Sequence, residues 1–388
     1  MADINQDFGK LVMANQLNLD TVLREQIGFI PAVQQNNSAA QAAIGQTIQY
    51  PLVPTLQLED VTADCCDIPC PDAVDWQTAE MTITHNKAVR FCWTGEEEQL
   101  MNNSYRDGGA NALRGSEMDE AMRLIVNAVE LSIADQAAFA AQIYNPLNGG
   151  ILFNQQADNI KDLANIRKLL HRAKAPDNDR HLVMGYDASA NLVNAYGITR
   201  ANENASDATL RRGEMLNMLN FGLHESFAAD QADATRGTGA GYLVNGVAAI
   251  GAKTITVDTG TGTILPGDKI HFAADLVNVY TVVSFVGNVI TLAQPLKVAA
   301  ADNAAVTIDA AYGRQLAFHR RAIVLATRTP FLQGGGDRAS NRAYITDPVS
   351  GLTMMLSQYG GYRANIYELA LVWGVKMVKP ELAVLVPA

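Results

Sequence analysis

Short apolar runs alternate with polar residues along residues 44–94 and end at turn residues. Residues 46–50 and 79–85 have the period of two that is typical of half-buried strands, and residues 88–93 are a further strand candidate. Thr94 and Glu97 have the spacing of a capping box, which opens a short helix. The pattern therefore predicts a long, hairpin-like β-excursion that ends in a helix.

The first 43 residues show no sustained period. Residues 20–28 begin with an aspartate that could cap a short helix and end with a glycine that could stop it. Residues 34–38 are polar and predict a break. We expect an arm rather than a domain in this part of the chain.

A helical period follows from Ser116 to about Tyr144 and predicts one amphipathic helix roughly 40 Å long. Residues 160–174 predict a second helix, whose polar side is basic. Such a face could meet nucleic acid or the acids of a partner, or it could simply be solvated. Its cations are Lys161, Arg167, Lys168, Arg172 and Lys174.

Beyond residue 240 the composition changes to β-branched residues, glycine and alanine. Residues 254–257, 268–272, 279–283 and 289–292 predict short strands separated by turns. Evenly spaced short strands of this kind indicate a small barrel or sandwich.

Composition sets limits on the class of protein. The chain has 388 residues, 48% of them hydrophobic and 18% charged, which is enough for two or three domains with real cores. The net charge of −11 is unlike that of a protein that grips nucleic acid tightly, although an acidic protein can still line a container for DNA. No apolar run is long enough to span a membrane, and the first residues do not resemble a signal peptide. We therefore expect folding in a cytoplasm.

All four cysteines lie close together in the sequence, at Cys65, Cys66, Cys70 and Cys92. This spacing fits the common zinc knuckles poorly, because it lacks the Cys-x-x-Cys pair. Reduced cysteines without a special role, and disulfides formed after release from the cytosol, are the other two interpretations. No metal is predicted.

No catalytic constellation stands out along the chain. The nucleophile elbow, the zinc-protease motif and the phosphate loop are all missing from the sequence. The six histidines are scattered, and a packed or hydrogen-bonded role is the expectation for His319. The sequence predicts no enzyme, no catalytic residue and no cofactor.

Two carboxy-terminal segments, residues 316–331 and 367–383, resemble the signature of tailed-phage major capsid proteins. The similarity is to the coat type of the Salmonella short-tailed phage, which has a β-domain inserted in the Hong Kong 97 fold. The resemblance implies an α+β fold with five parts. They are an arm (1–43), an extended loop (44–96), a peripheral domain with a spine helix (97–147 and 343–388), an axial domain (148–240 and 311–342) and an inserted small β-barrel (241–310).

The same resemblance implies a structural function. Such proteins form hexamers and pentamers of an icosahedral shell that encloses double-stranded phage DNA, without sequence-specific binding. The implied partners are further copies of the chain, a separate scaffolding protein, a portal protein and possible decoration proteins, but no membrane. The implied place is the virion, after assembly in the host bacterial cytoplasm. A bacterial nanocompartment shell of the encapsulin type is the alternative, and a soluble enzyme with an added β-domain is the third hypothesis.

The stretch 58–80 has seven acids and no lysine or arginine, so it would gain by docking on a basic surface. The resemblance implies that this loop lies over a neighbouring subunit. The candidate acids are Asp64, Asp67 and Asp72, and their candidate partners are Arg106, Arg114 and Arg123. Cys65, Cys66 and Cys70 lie in the same stretch and could add an oxidation-dependent lock. A solvated loop with idle cysteines remains the alternative.

Overall fold

The computed structural model describes residues 24–52, 78–104, 109–144, 146, 152–154, 159–193, 217–231, 236–273, 275–308, 313–333 and 337–386. These residues form two six-stranded sheets, a closed six-stranded barrel and a separate two-stranded hairpin, with helices packed on the sheets. The prediction of an α+β fold with a small β-barrel is confirmed.

Helices and strands of very different lengths make up these layers. In chain order they are α1 (Phe29–Ala32), β1 (Gln34–Ala42), β2 (Thr47–Pro51), β3 (Thr78–Thr82), β4 (His85–Thr94), α2 (Gly95–Ser104), α3 (Gly109–Ala134), β5 (Gln142–Ile143), α4 (Asn159–Arg172), β6 (Arg180–Met184), α5 (Tyr186–Val193), β7 (Asn217–Met218), β8 (Phe221–Glu225), α6 (Phe227–Asp230), β9 (Tyr242–Val244), β10 (Thr254–Asp258), β11 (Lys269–Phe272), β12 (Asp275–Val286), β13 (Val289–Leu292), β14 (Ala305–Ile308), β15 (Gln315–His319), β16 (Ile323–Pro330), β17 (Ala339–Thr346), β18 (Thr353–Gly360), β19 (Ala364–Met377) and β20 (Ala383–Val386).

The first sheet is organised around β19, its longest strand. β19 pairs with β4 along one edge, and with β18 and then β16 along the other. β17 extends the sheet beyond β18, and β1 adds to β16 in parallel. The strand-rich carboxy-terminal segment that the sequence predicts is therefore the centre of this sheet.

The long helix α3 packs across one face of the first sheet. Its 26 residues span about 39 Å. Trp373 of β19 lies fully buried beneath it and donates from Nε1 to Ser132 Oγ at 2.9 Å. The residues of α3 in the shared core are those that the helical period predicts, among them Met118, Met122, Ile125, Val129 and Ile133.

The predicted limits of this helix are wrong at both ends. α3 begins at Gly109 rather than Ser116 and ends at Ala134 rather than near Tyr144. A 3₁₀ turn, Asp135–Phe139, and the strand β5 replace the last predicted turns. The cause is tertiary: β5 pairs with β20, and the carbonyls of Ala138 and Ala140 accept hydrogen bonds from the barrel. Such contacts override a weak helical preference.

Two predictions near the amino terminus are also wrong. Residues 24–28 are not helical, so a helix over 20–28 is not formed in its described half. The polar run 34–38 is not a break, because it lies in β1. Two of its asparagines bond to β16: Asn37 Oδ1 accepts from Thr327 Oγ1 at 2.7 Å, and the backbone carbonyl of Asn36 accepts from Arg328 Nη1 at 2.6 Å.

The second sheet has the order β5-β20-β15-β6-β8-β7. β6 and β8 run parallel, and β15 is antiparallel to both β6 and β20. Helix α4 packs on this sheet through Leu163, Ile166 and Leu170, which are fully buried. The predicted helix 160–174 is thus present with nearly the expected limits.

The closed barrel is formed by six consecutive strands, β9 to β14. They lie in the chain between β8 and β15, which both belong to the second sheet. The strands of the barrel follow the order β10-β13-β12-β11-β14-β9. The barrel has a hydrophobic core of its own, in which Ile270, Val282 and Ile290 are fully buried. The sequence predicts four of its six strands and misses β9 and β14, which have only three and four residues.

Candidate inter-subunit contact surfaces

Most of the predicted contact residues lie outside the described residues. This is true of the acidic candidates, the loop cysteines and one of the three arginines. They are Asp64, Asp67, Asp72, Cys65, Cys66, Cys70 and Arg106. Their roles stay predictions.

The base of the acidic stretch is described and lies on the first sheet. β2 and β3 form a two-stranded hairpin, and Ile83 N donates to the Gln46 carbonyl at 2.9 Å just below it. The hairpin crosses β19 at Gly374, where an added Cβ would lie 2.7 Å from the carbonyl oxygen of Thr82. Glycine is therefore needed at this crossing. The described base of the excursion thus lies against the face of the first sheet.

Arg123 is already engaged within its own chain. Its Nε donates to Glu120 Oε2 at 2.7 Å, and its guanidinium also contacts Glu25. The hydrogen bonds that Arg123 donates to Glu120 and Glu25 raise its pKa further above the ordinary value. A neighbour's acid would have to compete with these two carboxylates. Arg114 lies on α3, and its side chain is outside the described residues.

Arg363, which is not among the predicted contact residues, lies at an exposed corner beside the start of α2. Arg363 Nη2 lies 3.3 Å from Glu96 Oε1, and its carbonyl accepts from Gly95 N.

The predicted capping box is also present at this corner. Glu97 Oε2 accepts from Thr94 N at 2.9 Å, and these bonds to Thr94 lower the pKa of Glu97. The three acids 96–98 lie in the first turn of α2, where negative charge stabilises a helix, as the sequence predicts.

A buried carboxylate that sequence reasoning missed holds the segment before β1. Glu130 of α3 accepts hydrogen bonds from the backbone N–H groups of Gly28, Phe29 and Ile30 at 2.7, 2.8 and 3.0 Å, and from Ser226 Oγ at 2.7 Å. Burial raises the pKa of Glu130, while these four donors favour its charged form. The only sequence signal is a single acid beside the apolar stripe of a helix.

A buried lysine, also missed, joins the barrel to the rest of the molecule. Lys269 is fully buried, and its Nζ donates to the carbonyl of Ala138 at 2.5 Å and to Thr281 Oγ1 at 2.5 Å. Thr281 Oγ1 in turn donates to the Ala140 carbonyl at 2.9 Å. Burial lowers the pKa of Lys269 well below its ordinary value. The barrel is thus held against the 3₁₀ turn that follows α3.

Three histidines lie on the strands of the second sheet, and two of them are in contact. His181 Nδ1 and His224 Nε2 are 3.1 Å apart, and burial lowers the pKa of His181 to about 4. His319 is buried, and its Nδ1 accepts from the N–H of Arg321 at 3.2 Å. His319 therefore has the packed, hydrogen-bonded role that the sequence predicts.

Exposed apolar side chains mark two parts of the described surface. On the first sheet, Tyr344 and Tyr362 are 57% and 94% exposed. On the barrel, Val247, Ile250 and Val286 are 74%, 69% and 75% exposed. Isolated exposed apolar groups are common, but groups on the same face are candidates for protein contacts.

The outer side of α4 is a candidate surface for anions. Lys161, Lys168 and Arg172 are exposed and lie close to one line along the helix, since they are seven and eleven residues apart. The helix's one acid, Asp162, is buried and accepts from Tyr144 at 2.6 Å.

The described residues contain neither a candidate metal site nor a membrane-spanning helix. Across these ranges, no three His, Cys, Asp or Glu side chains come together in a way that could hold a metal ion. No helix among them is both long and apolar enough to cross a membrane.

Comparisons with known proteins found similar chains among solved structures. No family model and no curated protein matches the chain. Among solved structures, it is similar to a chain of Mycobacterium phage Che8, with 14% identity, a TM-score of 0.48, and coverage of 94% of this chain and 92% of that one. The capsid of the cyanophage P-SCSP1u has 11% identity and a TM-score of 0.49, with coverage of 94% of this chain and 88% of that one. A virus-like particle from Pyrococcus furiosus has 8% identity and a TM-score of 0.41, with coverage of 97% of both chains. Likenesses of this degree do not assign a function.

Proposed function

We propose that the chain is the major capsid protein of a tailed bacteriophage, with a structural role and no catalysis. Hexamers and pentamers of the chain would form an icosahedral shell around double-stranded DNA. The observation that carries the proposal is the order of parts along the chain. The hairpin of β2 and β3 lies against the first sheet, a 26-residue helix crosses that sheet, and a barrel interrupts the second sheet. This is the order that the resemblance of the carboxy-terminal segments implies.

The division into working parts follows from the same proposal. The arm is 1–43 and the extended loop 44–96, the peripheral domain is 97–147 with 343–388, the axial domain is 148–240 with 311–342, and the inserted domain is 241–310. The closed barrel, from Tyr242 to Ile308, supports the last of these divisions.

Partners and location are part of the proposal. The chain would assemble in the host cytoplasm with a separate scaffolding protein, meet a portal protein at one vertex, and end in the virion, where a decoration protein could bind. An acidic chain of net charge −11 suits a wall that encloses DNA without gripping it. The exposed apolar groups of the first sheet and barrel are candidate contacts between copies.

The contact of the acidic loop with a neighbour stays a proposal. Asp64, Asp67 and Asp72 would face basic residues of the adjacent peripheral domain. Since Arg123 is engaged by Glu25 and Glu120, Arg106 and Arg114 are the better candidates.

A nanocompartment shell of the encapsulin type is less favoured. Such shells share the fold that the resemblance implies but usually lack an inserted β-domain, and the barrel of this chain is a complete, closed unit with its own core.

Sedimentation of the purified protein tests the proposal. A capsid protein should form particles that contain many copies of the 41.7 kDa chain and that sediment far ahead of a dimer or tetramer. The particles should appear when a scaffolding protein is co-expressed, if the chain alone gives only capsomers. Compact oligomers under both conditions would reject the proposal.

A further inference from the structure

The side of α3 that carries Glu130 also carries a second buried carboxylate, Asp119. The two positions face the same way, because eleven residues are close to three helical turns. Glu130 is fully hydrogen-bonded to segment 28–30 and Ser226. Both oxygens of Asp119 are also buried, but they have no hydrogen-bond partner among the described residues. A buried carboxylate without donors is costly in its charged form.

Asp119 lies close enough to the ion pair of Arg24 and Asp347 for Arg24 to attract its charge and Asp347 to repel it. Arg24 Nη1 donates to Asp347 Oδ1 at 2.6 Å. Asp347 is fully buried and also accepts from Ser350 N at 3.1 Å and Ser350 Oγ at 2.6 Å. Arg24 Nε and Nη2 are buried and, within the described part of the chain, unpaired. With all three groups ionised, this cluster holds two fully buried negative charges and one mostly buried positive charge.

The neighbouring charged groups do not correct this imbalance. Glu25 and Glu120 are both bound to Arg123, so the positive charge of Arg123 is already neutralised. Glu117 accepts from Trp93 Nε1 at 2.6 Å. With no other cation described beside Asp119, a proton is the smallest species that can remove the excess charge.

We propose that Arg24, Asp119 and Asp347 form a proton-operated latch on segment 24–33. The latch holds the segment against α3 and the first sheet more tightly when Asp119 is protonated than when it is ionised. The segment leads directly into β1, so the latch controls how firmly the start of the described chain is attached. This property belongs to the single chain and does not depend on shell assembly.

The direction of the pH effect follows from the shift of Asp119. Burial raises its pKa from 3.8 to about 6, against the attraction of Arg24 and with the help of Asp347. Between these two values the closed latch keeps a proton that the open segment releases. The closed state is therefore most stable at acidic pH and weakens as the pH rises to about 6, with no further change above that. Burial also raises the pKa of Glu130, so a variant must separate the two groups.

Hydrogen–deuterium exchange of the full-length protein tests the latch. After correction for intrinsic exchange, the opening constant of amides 26–33 should rise by about tenfold between pH 5 and pH 8, as two-state linkage with these pKa values requires. Asp119→Asn, which is neutral and of the same size, should lose this tenfold part and keep only the change that Glu130 contributes. The exposed control Asp187→Asn should keep the tenfold change.

Two results would overturn the proposal. One is an Asp119→Asn protein that keeps the full pH dependence, or that exchanges faster at both pH values. The other comes from Arg24→Met, which removes the attraction that holds the pKa of Asp119 down and should therefore move the midpoint above 6. A midpoint that stays in place or falls would contradict the latch even if Asp119→Asn failed to fold.

Discussion

At the scale of single residues, buried charged side chains join parts of the chain that are distant in sequence. Glu130 ties segment 28–30 and Ser226 to α3, and Lys269 ties the barrel to the turn after α3. Each is well supplied with partners, which is the condition under which a buried charge is tolerated. The two residues fix how separate parts of the molecule pack together.

Replacement of Glu130 tests this role. Glu130→Ala leaves four buried donors without an acceptor, and it should lower the free energy of unfolding by about 3 kcal/mol or more. Glu381→Ala, at an exposed position, should change it by less than about 0.5 kcal/mol. Chemical denaturation of the two variants gives the comparison. Similar losses in both would show that the bonds of Glu130 contribute no net stability.

Only part of this residue-level detail could be predicted from the sequence. The capping box of Thr94 and Glu97 could be recognised because its two residues are three apart and its bonds are local. The roles of Glu130 and Lys269 could not, because the backbone groups that they bind lie roughly a hundred residues or more away. A single charged residue gives no sign of which distant backbone groups it will meet.

At the scale of elements, the sequence predicts which helices and strands form better than it predicts where they begin and end. The apolar period of α3 is strong enough to predict a long helix, but it continues through residues 135–144, which other elements use. The sequence does not predict β1 because its first residues are polar, and its parallel pairing with β16 is made by the backbone, with a side-chain bond from Thr327 to Asn37. Periodicity reports burial of apolar groups and nothing else.

The acidic excursion is the element whose charge should matter between copies. Asp64→Asn, Asp67→Asn and Asp72→Asn together should weaken assembled particles, chiefly at low salt, where screening is least. Each pair is worth only about 0.2–1 kcal/mol, but a shell repeats the contact many times. Dissociation by denaturant, followed by light scattering at several salt concentrations, measures the effect.

A control with the same change in net charge separates docking from general repulsion. Replacing Asp187, Asp258 and Glu381 with their amides alters acids elsewhere on the described surface. If this triple variant dissociates as readily as the loop variant, or if the loop variant is unchanged at every salt concentration, electrostatic docking is wrong. Equal particle stability with and without reductant would exclude a lock at Cys65, Cys66 or Cys70.

The barrel is the element that should fold alone. Its strands close on themselves, and fourteen buried residues form a core separate from the others. Residues 241–310, about 70 in number, are just enough for a small domain. Expressed by themselves, they should give well-dispersed amide NMR signals. A random-coil spectrum would mean that the junction at Lys269 is required for the barrel to form.

At the scale of the whole molecule, the layout was the most predictable feature. The resemblance implies the order of arm, excursion, long helix, axial domain, inserted barrel and return. Among the described residues, the base of the excursion, the long helix and the closed barrel follow in that order. How the layers pack was not predictable, since that depends on pairings such as β15 with β6 and β20. Contacts between copies depend on a further level of geometry that a single chain does not contain.

Cryo-electron microscopy of the assembled protein tests the central claim most directly. The account predicts closed icosahedral shells built from hexamers and pentamers, with α3 and the first sheet of each copy beside the hairpin of a neighbour and the barrel as a distinct density on each subunit. Small, cargo-filled shells would support the nanocompartment alternative, and compact oligomers without a shell would contradict the proposed function outright.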